Sequence, residues 1–441
     1  MPIPSVIVAL ALALPAADLA STDAAGNQHP GHEGGMEVGM AEGSTEPHSM
    51  LPLGLPMTRM GSGTAWLPDS TPFYGWNIPL GEWMLMLHGN LFTGLDSQST
   101  DRGHTEYTTI DWVMGMLMGP AAGGTLTARV MLSTEPWSVR HGGYPLLLQS
   151  GETFRGEPLH DRQHPHNLFM ELALLFDRKL WDGPAFQLYA ALPGEPALGP
   201  PAFPHRPSAI FNPFAPIGHH WQDSTHITFG VLTGGIYTRH LKVEASLFRG
   251  REPGEDRLGI ETGRLDSYCA RLQVAVARGW TGQISWGRLE SPEAAHPGED
   301  LGRATASVSN VQPLPRSGSV SSTVVWGANH ILGAGQTTNS FLVESTAVTP
   351  GEQHVGFVRV EVIQKSGEEL VVPADQTFLM SAVTLGYVFE FPEAKVIVPG
   401  IGATGTLSFL PGGLLPFYGE RVGLGGMIFL HLRPPTIRAK H

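Results

Sequence analysis

The segment "WTGQISWG", Trp280–Gly287, alternates without a break. Trp280, Ile284 and Trp286 fall on one face; Thr281, Gln283 and Ser285 fall on the other. Successive side chains of a strand point to opposite sides, so this segment separates an apolar surface from a polar one. Its neighbours do the same. "YCARLQVAV" sets Tyr268, Ala270, Leu272 and Val274 against Arg271 and Gln273, and "LKVEASLF" sets Leu241, Val243, Ala245 and Leu247 against Lys242, Glu244 and Ser246. "VRVEV" repeats the pattern with Val358, Val360 and Val362 against Arg359 and Glu361. Such strands build a soluble sandwich or propeller, or a membrane barrel whose two faces meet lipid and lumen.

Connection lengths decide between these. Alternation and turn residues place strands near 81–94, 107–118, 124–133, 166–177, 185–193, 225–236, 240–250, 264–276, 280–289, 303–312, 318–328, 338–348, 353–364, 377–390, 395–409 and 420–432. Short joins ("GPAAG", "RHL", "ARG", "PLPRS", "TPGE", "PEAK") alternate with long ones at 95–106, 134–165, 194–224, 251–263, 290–302 and 365–376. Short periplasmic turns alternating with long external loops characterise outer-membrane barrels. The expected fold is therefore all-β: an antiparallel transmembrane β-barrel of about 16 strands, with 14 the alternative count, and long external loops folded toward the lumen. The last strand, "ERVGLGGMIFLHL", resembles the C-terminal targeting strand of such barrels, here extended by "RPPTIRAKH". Trp66, Trp76, Trp83, Trp112, Tyr237, Tyr387 and Tyr418 are candidates for interface girdles.

Composition agrees. Charged residues are only 15% of the chain, against about 25% in soluble proteins. The net charge of −13 offers no basic stripe for a nucleic-acid partner. The one cysteine, Cys269, excludes intrachain disulfides and cysteine-cluster metal sites. Residues 1–20, "MPIPSVIVALALALPAADLA", read as a signal peptide whose apolar core is too short to span a bilayer. Residues 21–60 are expected to form a disordered periplasmic leader, 61–433 the barrel and 434–441 a short periplasmic tail. The expected location is the bacterial outer membrane, with lipid as one partner and a small solute or metal ion as the other.

Chemistry gathers in three places. The leader holds His29, His32, Met36, Met40, His48 and Met50; imidazole and thioether together suit copper. This segment resembles the Met/His-rich leaders of copper-resistance proteins. In "GEPLHDRQHPHNLFMEL" (156–172), His160, His164 and His166 flank Asp161 and Arg162, and Glu171 follows on the lumen side of the next strand. In "IGHHWQDSTHITFG" (217–230), His219, His220 and His226 surround Asp223 and Ser224. Both clusters end long loops and lead into strands separated by one other, so strand counting brings them to one external rim. Arg264 and Asp266 open a third strand of the same direction. Three readings follow: the six histidines supply an imidazole site for copper or zinc; Asp223, Ser224 and His226 form a hydrolytic site; or Asp161, Arg162, Glu171, Asp223, Arg264 and Asp266 form a structural or constriction network. Met84, Met86 and His88 share a face, as do Met114, Met116 and Met118 on the neighbouring strand. Facing the lumen they would form a thioether wall; apolar filler against lipid is the expectation.

From about Gly61 onward the chain resembles a family of bacterial envelope proteins with no assigned activity. The resemblance rests on "GSGTAWLPDSTP", "GEWMLMLHGN", "GYPLLLQSGETFRGEPLHDRQHPHNLFMEL", "GEPALGPPAFPHRPSA" and "GHHWQDSTHITFGV". It implies an envelope barrel and does not choose among the readings. The expected function is a porin-like channel or binding barrel for copper or another transition metal. The alternatives are an outer-membrane hydrolase and a structural barrel without transport.

Overall fold

The computed structural model describes residues 50–392, 394 and 396–437. The signal segment and the leader as far as His48, including His29, His32, Met36 and Met40, lie outside these residues. The strands are β1 Trp76–Leu80, β2 Trp83–Gln98, β3 Thr105–Ala121, β4 Gly124–Leu132, β5 Tyr144–Phe154, β6 Glu157–Gln163, β7 Phe169–Lys179, β8 Ala185–Gly194, β9 Thr228–Tyr237 and β10 Leu241–Phe248. They continue as β11 Ser267–Ala277, β12 Trp280–Leu289, β13 Leu301–Pro313, β14 Ser319–Ile331, β15 Thr337–Val348, β16 His354–Ser366, β17 Thr377–Glu390, β18 Val398–Phe409 and β19 Val422–Arg433.

Among the described residues, β2–β4 and β7–β19 pair antiparallel in chain order. β19 returns to β2 from Gly425↔Gln98 to Leu432↔Leu91, which closes a 16-stranded barrel. Every wall strand overlaps a segment expected from the sequence. β1 is an addition: it turns back along the first residues of β2, pairing Trp76 with Leu87.

The burial pattern is the reverse of a soluble protein's. In β10, Leu241, Val243 and Leu247 are exposed while Lys242, Glu244 and Ser246 are buried. β12 exposes Trp280, Ile284 and Trp286 and buries Thr281, Gln283 and Ser285. An apolar outer face around a polar interior needs lipid outside, which excludes the sandwich and propeller and fits an outer membrane. Several expected girdle residues lie inside instead: Trp66, Trp112, Tyr237 and Tyr418 are buried.

A barrel of this size is wide enough for an aqueous channel unless something fills it. Here three chain segments do. Residues 50–75 pack inside, with Leu51, Leu55 and Arg59 buried and Arg59 Nε 2.5 Å from Asp69 Oδ1. The leader reading of residues 50–60 therefore does not describe this segment, which is folded. The hairpin β5–β6 forms a separate two-stranded sheet, and residues 195–227 run almost wholly buried. Wall charges hold this filling through its backbone. Arg271 binds Glu244 Oε1 at 2.9 Å and donates to Gly199 O at 2.9 Å; Arg359 binds Glu344 Oε2 at 3.1 Å and donates to Phe214 O at 2.7 Å. A buried carbonyl without a partner is costly, so each of these contacts fixes a loop that has no ladder of its own.

Candidate metal centre

The two histidine clusters meet, as strand counting requires, because β7 and β9 flank β8. They meet inside the lumen rather than at the rim. His219 and His220 sit on the single helical turn α1, His219–Gln222, and are buried; His164 lies in the irregular stretch between β6 and β7. Nitrogens of His164, His219 and His220 all lie within 4.8 Å of one another. The ring centroids stand 6.0 Å apart for His164–His219, 5.8 Å for His164–His220 and 5.2 Å for His219–His220.

Each ring is oriented by an acceptor at Nδ1. His219 faces Asp223 Oδ1 at 2.7 Å, His220 faces Glu252 Oε1 at 3.2 Å, and His164 faces Pro165 O at 3.2 Å. In the tautomer that donates from Nδ1, Nε2 keeps its lone pair. Such an acceptor behind an imidazole is the usual outer support of a metal-binding histidine. His220 Nε2 is buried without a hydrogen-bond partner. His164 Nε2 stands 3.1 Å from Glu152 Oε1 but makes no hydrogen bond of acceptable geometry. A lone pair facing a carboxylate oxygen at that distance is repulsive unless a proton or cation lies between them.

The electrostatics keep the rings neutral. Burial, reinforced by the nearby Arg257, holds His164 well below the usual imidazole range. Burial pushes His220 down to about 4; it also lowers His219, against the pull of Asp223. Burial raises Glu152 and Glu252 above the ordinary carboxyl value, against the pull of Arg257 on Glu152 and of Arg303 on Glu252. Burial would raise Asp223 as well, but Arg206 and His219 hold it far below. Neutral imidazoles are ready donors, whereas protonated ones must first release a proton.

The other predicted residues divide. His166 belongs to a second pair: its N and Nδ1 bind Glu135 Oε2 and Oε1, each at 2.8 Å. Burial alone would lower His166, but Glu135 keeps it above its ordinary value. His226 bridges the groups, with ring centroids 5.1 Å from His219 and 5.4 Å from His166. His160 does not join: it is half-exposed and pairs with Asp161 at 3.0 Å. Asp161 accepts from Leu148 N at 2.8 Å and Tyr418 Oη at 3.0 Å and pairs with Arg102 at 2.8 Å. Arg162 binds Glu106 at 2.5 Å, and Glu171 accepts from Tyr189 Oη at 2.8 Å. These three, like Asp223, are each engaged by neighbouring side chains. Arg264 is exposed and Asp266 caps Gly250 N at 2.8 Å, so the third segment contributes instead through Glu252 and Arg257 of the loop before it. The hydrolytic arrangement is not assembled. Ser224 Oγ takes a hydrogen bond from Arg303 at 2.8 Å, His226 Nδ1 faces the Asp223 carbonyl at 2.7 Å, and Asp223 is held by Arg206 at 2.6 Å.

The methionines correct an expectation. Met86, Met114, Met116 and Met118 are buried on the lumen side, not against lipid. Met86, Met114 and Met116 cluster there with Met131, Met170, Trp112 and Ile227, and Met57, Met60 and Met84 pack against them. Met170, next to Glu171 in the chain, joins them through a β-bulge. β7 opposes Met131 with Glu171 and Leu132 with Phe169, leaving Met170 unpaired, so Met170 and Glu171 both turn inward.

No protein-family model and no curated protein matches the chain. Solved structures do. OmpF of Salmonella typhi, in a complex with daunomycin, superposes with a TM-score of 0.50 at 10% identity, covering 81% of this chain and 100% of that one. An anion-selective porin of Comamonas acidovorans gives 0.47 at 10% identity over 80% and 100%. A loop-deleted OmpT of Vibrio cholerae gives 0.46 at 9% identity, again over 80% and 100%. The OmpF likeness agrees with the closed wall: the fold is the 16-stranded barrel of outer-membrane proteins, and the protein is an outer-membrane β-barrel.

Proposed function

We propose that this protein is a porin-like barrel converted into a metal-binding barrel. In this reading its own loops close the lumen around a divalent transition-metal site made by His164, His219 and His220, with Glu152 as the oxygen donor. One observation carries it: three imidazoles from two distant loops converge within 4.8 Å, each oriented from behind by an acceptor. Three histidines plus one oxygen or solvent position suit Zn²⁺ and Cu²⁺. The raised Glu152 carboxyl supports the reading, because a bound cation would take the place of its proton. Passage of the ion through the wall would then depend on loop movement rather than on an open pore.

The test is calorimetric titration of the purified, folded barrel with Zn²⁺ and Cu²⁺. One ion should bind per chain, and His164→Ala or His219→Ala should weaken binding at least 100-fold while the heat-modifiable gel shift of a folded barrel persists. Equal affinity in wild type and both variants would overturn the proposal.

A further inference from the structure

A small cavity of about 10 Å³ lies beyond the three-histidine group, lined in part by Met131, Met170, His205, His226 and Glu195. Its volume is of the order of one small bound species. Three features set it apart from ordinary packing. His226 Nε2 is buried with no hydrogen-bond partner, its Nδ1 being used by the Asp223 carbonyl at 2.7 Å. His205 Nε2 faces Met131 Sδ at 3.5 Å, which points an imidazole nitrogen and a thioether at the same space. Glu195, 3% exposed, also lines the cavity, and only the Ser62 hydroxyl and Arg271, 3.9 Å away, offset its charge. A buried carboxyl with so little compensation keeps its proton unless a cation lies beside it.

We infer that this cavity is a second cation site, of mixed sulfur and nitrogen donors, which takes a soft monovalent ion of the Cu(I) or Ag(I) class. Two thioethers and two imidazoles are a donor set that soft ions prefer and that Zn²⁺ does not require. The Met170 bulge is what makes the set possible, since a regular strand would turn this sulfur to lipid. The site is separate from the three-histidine group, but the His219–His226 ring distance of 5.1 Å makes the two neighbours. An ion released from one has a ligand of the other within reach.

Silver(I) is the probe, because it is redox-stable. The full-length barrel is loaded with one equivalent of Ag(I) and examined by silver-edge X-ray absorption, with parallel Zn²⁺ titration. The expected result is silver bound through sulfur and nitrogen. The double variant Met131→Leu/Met170→Leu, which conserves volume, should lose the silver–sulfur signal and at least tenfold in Ag(I) affinity while keeping Zn²⁺ binding. Met114→Leu/Met116→Leu should keep the silver–sulfur signal. Retention of that signal in Met131→Leu/Met170→Leu, its loss in Met114→Leu/Met116→Leu, or failure of the wild type to bind Ag(I), would overturn the inference. A wild-type barrel that binds Ag(I) through sulfur but does not bind Zn²⁺ refutes the three-histidine reading and leaves this one standing.

Discussion

Replacing Arg206 by alanine should unfasten the buried segment 195–227 without breaking the wall. Arg206 is fully buried and binds Glu344 Oε1 on β15 at 2.7 Å, Asp223 Oδ2 at 2.6 Å and Pro201 O at 3.1 Å. It therefore ties two parts of the segment to each other and to a wall strand. Removing one partner of a buried ion pair costs about 3–5 kcal/mol, because the surviving charge stays out of water. Both survivors here keep other partners. Glu344 retains Arg359 at 3.1 Å, and Asp223 retains His219 at 2.7 Å and Phe203 N at 3.0 Å. The cost should fall at the low end, about 3 kcal/mol, which is roughly a 150-fold change in the opening equilibrium at 1.36 kcal/mol per decade. Amide hydrogen exchange of the detergent-solubilised barrel reads this directly, since exchange through local opening follows that equilibrium. Amides of 195–227 should exchange about 100-fold faster in Arg206→Ala, with wall strands unchanged. Acceleration of less than threefold would refute the idea that this ion-pair network holds the segment in place.

Other consequences follow from particular contacts. Gly151 has φ +120°, and a Cβ there would lie 2.7 Å from His220 Nδ1, so Gly151→Ala should displace the ring and weaken Zn²⁺ binding at least tenfold without removing a donor; unchanged affinity in calorimetry would argue that His220 is not a ligand. His296 is raised to about 9 by its hydrogen bond to Glu293, at 3.1 Å, and also lies 3.2 Å from Glu368 in the loop across a cavity of about 900 Å³. Its contribution is complete below the ordinary value of about 6.5, fades as pH rises, and is lost above about 9. The loops at 290–300 and 367–376 should therefore become more open to protease between pH 7 and pH 10, and His296→Gln should abolish that difference; a wild type equally resistant at both values would contradict the pairing. In planar bilayers the intact protein should conduct far less than a variant lacking residues 196–225, and equal conductance would show that this segment does not close the lumen.

The sequence made the wall legible and the interior much less so. Wall strands announce themselves because lipid and lumen demand different side chains, as in Leu241, Val243 and Leu247 against Lys242, Glu244 and Ser246. Where both faces are apolar the rule loses its grip. In β3, Val113 and Leu117 are exposed while Met114, Met116 and Met118 are buried, and nothing in that alternation says which set meets lipid. The bulge at Met170 is likewise invisible to a strict two-residue period. Segments inside the barrel carry no period, since their neighbours are loops and wall charges rather than a sheet. The hairpin β5–β6 therefore falls, by sequence pattern, inside the long join at 134–165. Strand counting brought His164 and His219 together because it needs only the order of strands. It had no means of finding Glu152, Glu252 or Glu135, whose roles arise from where irregular loops come to rest.

The most direct test of the metal-binding account is zinc-edge X-ray absorption on the full-length barrel loaded with one equivalent of Zn²⁺. The account predicts three imidazole nitrogens and one oxygen at about 2.0 Å, with the outer-shell scattering of histidine rings, and loss of that ring scattering in His164→Ala/His219→Ala. A shell of oxygens without imidazole scattering, or an unchanged spectrum in the double variant, would contradict it.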